Sequence, residues 1–287
     1  MSSRRESASA VQAPAARRGA PPPPTASELI SSPGFLRRNE RVLIPVATLV
    51  ALLITWELYG RFADISPLFF SYPTRIAGAL VVWSQTTLWT DLGTSAMEFL
   101  LGLLLALFAI PIGLVVGSSR RARMAVDPIA NALNSTPMLA LTPLLVIWLG
   151  LGMPSKVAVV FIMAFLPLLI NTSEGVATVD RTLILATRSF GASWFAIYRD
   201  VVLPGTVPFL VSGMRLALGH AVVGVVIGEF IASTAGVGYR INAAAQIFNT
   251  PLYLGGIVLI VAISVVLNYG VQYVEGRLAP WRTDTAE

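Results

Sequence analysis

Three ionisable side chains, Arg215, His220 and Glu229, fall within one apolar stretch, Val207 to Ala232. Charges in such a stretch are costly to bury, which makes these three candidates for the path of a passing solute. His220, near the middle, can titrate, hydrogen-bond an anion or pair with a neighbouring helix. Arg215 and Glu229 lie close to the two ends, where long side chains can reach water. Elsewhere the chain is poor in catalytic chemistry. It has no cysteine and one histidine, which excludes disulfides and thiolate chemistry and argues against a metal centre or a hydrolytic triad. Its one lysine, Lys156, follows Gly152-Met153-Pro154-Ser155, unlike the glycine-rich loop that cradles nucleotide phosphates. No cofactor or metal is therefore expected on this chain.

The elements that must hold these residues are membrane helices. Of the 287 residues 55% are hydrophobic and 12% charged, with a mean hydropathy of +0.73, a composition that belongs in a bilayer. Six stretches approach or exceed the length of a span, about 20 residues: 42–59, 95–116, 129–149, 157–172, 207–232 and 252–273. The fourth is short and contains Pro167, which predicts a kink or a longer true span. The segment from Pro73 reads as a short interfacial helix rather than a seventh span. The expected fold is all-α and polytopic: a disordered, proline- and arginine-rich tail over 1–40, a transmembrane domain over 41–275 and a short tail over 276–287. The basic N-terminal tail suits contact with anionic lipid and lacks the pattern of a cleaved signal.

Arginine and lysine set the expected orientation. With six spans, fifteen of the twenty fall on one side, and Arg61, Arg75, Lys156 and Arg240 fall on the other. Excess positive charge marks the cytoplasmic side, so both termini are expected there. Glu98 then lies near the outer surface, solvated or available to a docking protein. The run Asn131 to Pro137 is polar for a span; it either satisfies backbone freed by Pro137 or faces a wet cavity. Gly213, Ala217, Ala221, Gly224 and Gly228 form a small-residue seam for close helix packing, within the chain or at a dimer seam.

In this topology the longest cytoplasmic loop spans residues 174–206 and contains RSFGASWFAIYRDVVLP. Val179, Leu183, Ala186 and Phe190 recur at helical spacing before Gly191, which suits the left-handed end of a helix. Ser193 then caps a second helix bearing Trp194, Ile197, Tyr198 and Val201. That helix is expected to stop before Pro204. Two short helices at a glycine elbow can lie on the headgroups, anchored by Trp194 and Tyr198, or present a face to a partner.

Ala186-Thr187-Arg188-Ser189-Phe190-Gly191, nine residues, then Val201-Val202-Leu203-Pro204 resembles the EAA loop of permease subunits in bacterial ABC importers, whose pattern is E-A-A, three residues, G, nine residues, I-x-L-P. SGMRLALGHAVVGVVIGEF and AGVGY, at Ala235 to Tyr239, further resemble the nitrate, sulfonate, taurine and bicarbonate branch. The resemblance covers about residues 45–275. It implies a multi-pass bacterial inner-membrane subunit, paired as a homodimer in its lipid bilayer, that carries a small solute delivered by a periplasmic or lipoprotein binding protein. ATP would be hydrolysed on a separate ATP-binding subunit gripping Leu185, Ala186, Thr187, Arg188, Gly191, Ser193, Trp194, Ile197, Leu203 and Pro204. Leu185 stands where the family has its glutamate, and Thr187 where it has its second alanine, so the grip here would rest more on apolar packing. No nucleic-acid partner is implied. The competing reading, an ion-coupled secondary transporter, calls for two related halves with broken spans; no repeated half is visible. A membrane-embedded enzyme lacks its motifs.

Overall fold

The computed structural model describes residues 35–63, 66 and 68–278. The tail over residues 1–34 and the end of the chain beyond Leu278, with the expectations placed on them, lie outside the described residues. The chain divides into two units, Met1–Ile54 and Thr55–Glu287. In the first, the described residues belong to helix α1 (Phe35–Phe62), which takes in six residues that the hydropathy pattern assigned to the tail.

The second unit begins within the last turns of α1. There the Glu57 carboxylate accepts hydrogen bonds from the Thr74 backbone N–H at 3.0 Å and the Thr74 hydroxyl at 2.7 Å, and the Trp56 indole donates to the Ser71 carbonyl at 2.9 Å. These bonds clasp α1 to α2 (Pro73–Ser84), the short helix expected from Pro73, whose Ile76 and Trp83 are buried. Helices α3 (Leu88–Ala106) and α4 (Ala109–Ser118) together make one apolar run of 31 residues. The run is interrupted at Leu107 and Phe108, four and three residues before Pro111, whose ring collides with the carbonyl four positions back.

Helix α5 (Arg120–Asn134) meets α6 (Met138–Leu149) at a 97° bend. The third span, expected as continuous from 129 to 149, is therefore broken at Ser135–Pro137. The polar run is the break itself: the Ser135 and Thr136 hydroxyls bond back to the Asn131 and Ala132 carbonyls, each at 2.9 Å. Helix α7 (Met153–Ala177) settles the fourth segment as a longer span of 25 residues. After α8 (Arg181–Ser189) and α9 (Trp194–Ile197), a π-helical turn over Tyr198–Val202 leads directly into α10 (Leu203–Ala232). Helices α11 (Val237–Gln246) and α12 (Thr250–Leu278) complete the described chain.

Helix α7 is the axis of this unit, and glycines set its neighbours. A Cβ on Gly175, Gly213 or Gly224 would lie 2.6 Å from Phe209 Cβ, 2.8 Å from Asn171 Cβ or 3.0 Å from Val160 Cα. Each step along α7 is thus matched by a reverse step along α10, and the two pack antiparallel. On the other side Gly102 abuts Val160 and Gly113 abuts Thr172, so α3–α4 runs parallel to α7. The small-residue seam of α10 is consumed within the chain, which corrects its expected alternative use between two copies.

Because α3–α4 and α7 run parallel, the chain must return between them. The bent α5–α6 pair makes that return: perpendicular helices of 15 and 12 residues reach on the order of 30 Å end to end at 1.5 Å per residue. Five long apolar helices and one bent pair thus give six crossings, in agreement with the expected number.

Candidate functional site

Residues with chemistry collect at the two ends of the α7 axis. At the end where α4 and α7 finish, the Asp180 carboxylate caps α8 by accepting from the Thr182 N–H at 2.7 Å. That backbone bond to Thr182 holds the Asp180 carboxyl below its ordinary value. The helix closes as the glycine predicted. Gly191 adopts φ +81°, its N–H donates to the Arg188 carbonyl at 2.9 Å, and the Ala192 N–H reaches the Thr187 carbonyl at 3.3 Å. This is the Schellman closure, which satisfies two otherwise orphaned carbonyls. Ser193 caps the next helix through the Ala196 N–H at 3.2 Å.

The apolar faces of the elbow are arranged differently from their helical spacing. Ile184, Val179, Ala192 and Tyr198 pack around buried Val176, Ile197 and Val202. Leu183, Leu185, Phe190, Trp194 and Phe195 are exposed, Phe190 at 91%, and Trp194 stacks on Tyr198 at 5.2 Å between ring centroids. Ala186 and Arg188 are also exposed, and Thr187 is half-buried with its hydroxyl bonded to the Leu183 carbonyl.

The second helix does not stop before Pro204, contrary to expectation. The Leu203 N–H donates to the Tyr198 carbonyl, five residues back, and this wider turn absorbs the missing N–H and bulky ring of Pro204. Trp194 to Ala232 is consequently one helical rod of 39 residues.

At the opposite end of α7, polar groups unite five helices, α2, α3, α7, α10 and α11. Asp91, Ser95 and Glu98 share one face of α3 at spacing i, i+4, i+7. Asp91 accepts from the Trp83 indole at 2.9 Å, the Thr87 hydroxyl at 2.8 Å, the Gly236 N–H at 3.1 Å and Arg240 Nε at 3.2 Å. Ser95 donates to Glu229 Oε1 at 2.6 Å and accepts from the Val237 N–H at 2.9 Å. Glu229 also takes the Gly238 N–H at 2.5 Å and the Tyr239 N–H at 3.3 Å. Glu98 forms an ion pair with Lys156, whose ammonium also donates to the Ser233 hydroxyl at 3.1 Å.

Glu98 and Glu229 are completely buried and Lys156 is 6% exposed. This corrects two expectations: Glu98 is not solvated and Glu229 does not snorkel. Both are held inside because α7, α10 and α11 close over the α3 face. The AGVGY run wraps a carboxylate: a Cβ on Gly236, at φ +121°, would fall on the Glu229 carboxyl group, and one on Gly238 would approach it to 2.9 Å.

The three candidates for the solute path are not brought together. Arg215 and Glu229 stand fourteen residues apart on α10, roughly 21 Å along the axis. Arg215 is exposed and lines a cavity of about 150 Å³ with Ser264 and Asn268 of α12. His220 is half-buried and makes no hydrogen bond or ion pair among the described residues. The pairing of Glu98 with Lys156 was missed from the sequence, although a polar ladder at i, i+4, i+7 on an apolar helix signals a face turned toward a polar partner.

Comparison with known proteins matches residues 109–281 to the family of binding-protein-dependent transport system inner membrane components. The taurine transport system permease protein TauC of Escherichia coli (strain K12) is 34% identical over 250 residues, 85% of this chain and 91% of its own length. SsuC of Bacillus subtilis (strain 168), which carries the name of an aliphatic sulfonates transport permease protein, is 31% identical over 84% of this chain and 87% of its own. Among solved structures, a chain of the inward-facing MetNI methionine ABC transporter superposes with a TM-score of 0.53 at 22% identity, covering 68% of this chain and 94% of that one. The fold is thus that of an ABC transporter permease, and the sequence is continuous with permeases over most of its length. With its membrane-length helices and these matches, the chain belongs to the binding-protein-dependent inner-membrane components, the permease subunits of ABC transporters.

Proposed function

We propose that this subunit carries a small sulfonate-like anion inward and is driven by an ATP-binding subunit that grips the α8–α9 elbow. The named substrates of TauC and SsuC, taurine and aliphatic sulfonates, support the anion class. A soluble binding protein would present the anion at the outer mouth, and two copies of the permease would enclose the path, with Arg215 and His220 the candidate side chains along it. Both termini and the elbow would lie in the cytoplasm, a placement that the distribution of arginine supports.

The observation that carries the coupling role is the continuity of α9 with α10. A push on Trp194 or Phe195 acts on a 39-residue rod, whereas a flexible loop would dissipate it. Leu183, Leu185, Phe190, Trp194 and Phe195 remain exposed on the elbow, a surface that a partner's cleft can bury. Leu185 in place of the family's glutamate makes this grip apolar. Closure of the ATP-binding subunits on ATP would then move the elbow and the rod as a rigid body; the nucleotide would stay on the partner.

The decisive experiment compares wild type with a form lacking residues 192–200, purified from detergent and assayed for copurifying ATP-binding subunit and for ATP-dependent taurine uptake in proteoliposomes. Capture and uptake by wild type alone is the expected result. Uptake by the deleted form would remove the elbow from the mechanism.

A further inference from the structure

Beneath the elbow lies a cavity of about 1200 Å³, and its wall is strongly basic. Arg120, Arg123, Arg181 and Arg188 line it against a single carboxylate, Asp127. Arg123 is engaged, with Asp127 at 3.3 Å and with Glu174 at 3.4 Å. Arg120, Arg181 and Arg188 are exposed and have no ion pair among the described residues. Three uncompensated guanidinium groups around one concavity focus a positive potential and form a cationic seat for a phosphate group.

The position of the cavity identifies the source of that phosphate. Its floor is formed where α4 and α7 end and where the helical rod begins, at the level at which spans leave the hydrocarbon and headgroups lie. It is far larger than a small inorganic anion needs, and apolar Met124 and Trp194 share its wall with the arginines. A phosphodiester headgroup joined to glycerol and acyl chains matches both halves of that lining.

We propose that the cavity binds the headgroup of an anionic phospholipid such as phosphatidylglycerol, with Arg120, Arg181 and Arg188 on the phosphate. This goes beyond the coupling role. Leu183, Leu185, Phe190 and Phe195, exposed on the elbow, do not line the cavity, whereas Arg188 and Trp194 do, so lipid beneath the elbow and a partner on its outer surface meet at those two residues and otherwise use different ones. A seated lipid would brace α8 against α5 and keep the elbow in position in the bilayer.

The test is native mass spectrometry of the full chain in detergent, titrated with dioctanoyl-phosphatidylglycerol or dioctanoyl-phosphatidylcholine. Wild type is expected to bind the glycerol lipid saturably and the choline lipid weakly. Arg120→Gln/Arg181→Gln should weaken phosphatidylglycerol binding on the order of tenfold or more, since each basic residue near a headgroup contributes appreciably, while Arg120→Lys/Arg181→Lys should stay within a few-fold of wild type. Unchanged binding by the Gln variant, or equal binding of both lipids by wild type, would overturn the site. Displacement of the lipid by equimolar inorganic phosphate would overturn the lipid assignment. The comparisons on wild type decide the matter even if the Gln variant folds poorly, and none of them depends on the ATP-binding subunit.

Discussion

Lys156 illustrates how a residue's meaning changes with its neighbours. In the chain it is the single lysine near the start of a span; in the fold it is the counter-ion of fully buried Glu98. Removing one member of such a pair strands the other charge in a medium that solvates it badly, which is worse than removing both. Lys156→Met should therefore lower stability by about 3–5 kcal/mol, and Glu98→Gln/Lys156→Met should recover most of the loss. Thermal unfolding in detergent, followed by tryptophan fluorescence, reads this directly; a double variant as unstable as Lys156→Met would contradict the pairing. Gly236 sets a second test. At φ +121° with the Glu229 carboxyl where a side chain would begin, Gly236→Ala should cost about 2 kcal/mol or more through backbone strain and displacement of the carboxylate. An unshifted melting temperature would mean that the AGVGY turn is not needed to seat Glu229.

Among the elements, the elbow and its rod explain what a glycine and a proline accomplish at the entry to a span. Gly191 closes α8 with φ +81° and open space where a Cβ would sit, so the demand at this position is conformational and not steric. Gly191→Asn, which tolerates the left-handed region, should retain ATP-dependent uptake near wild type. Gly191→Pro cannot take this φ and loses the N–H bonded to Arg188, and should reduce uptake at least tenfold while membrane levels hold. Uptake by the proline variant equal to that of wild type would show that the turn carries no force. Pro204, read from sequence as a stop, instead lies in the first turn of α10 because the π turn before it widens the hydrogen-bond ladder. The same residue type interrupts α3–α4 near Pro111 and leaves α7 continuous through Pro167. What a proline does in a membrane helix depends on whether the surroundings satisfy the freed carbonyls, information that lies outside its own segment.

For the whole molecule, the parallel run of α3–α4 and α7 and the antiparallel run of α10 place the elbow and the Glu229 cluster at opposite ends of the spans. Since the natural chain has no cysteine, single probes report on this cleanly. Leu185→Cys and Thr234→Cys, both exposed positions, should react with a membrane-impermeant maleimide from opposite sides of the bilayer: Thr234→Cys in intact cells, Leu185→Cys after permeabilisation. Labelling of both from one side would dismantle the six-crossing topology. The class of the molecule, the number of crossings and the Gly191 elbow were legible in the sequence, because hydropathy, arginine bias and glycine spacing are local properties that a bilayer and a helix read directly. Tertiary structure alone decided that the third crossing is bent by 97°, that the small-residue seam of α10 packs on α7 within the same chain, and that Asp91, Ser95 and Glu98 meet Arg240, Glu229 and Lys156. These are pairings between residues up to about 150 positions apart, and a hydropathy profile records how apolar each segment is but not which faces of two segments meet.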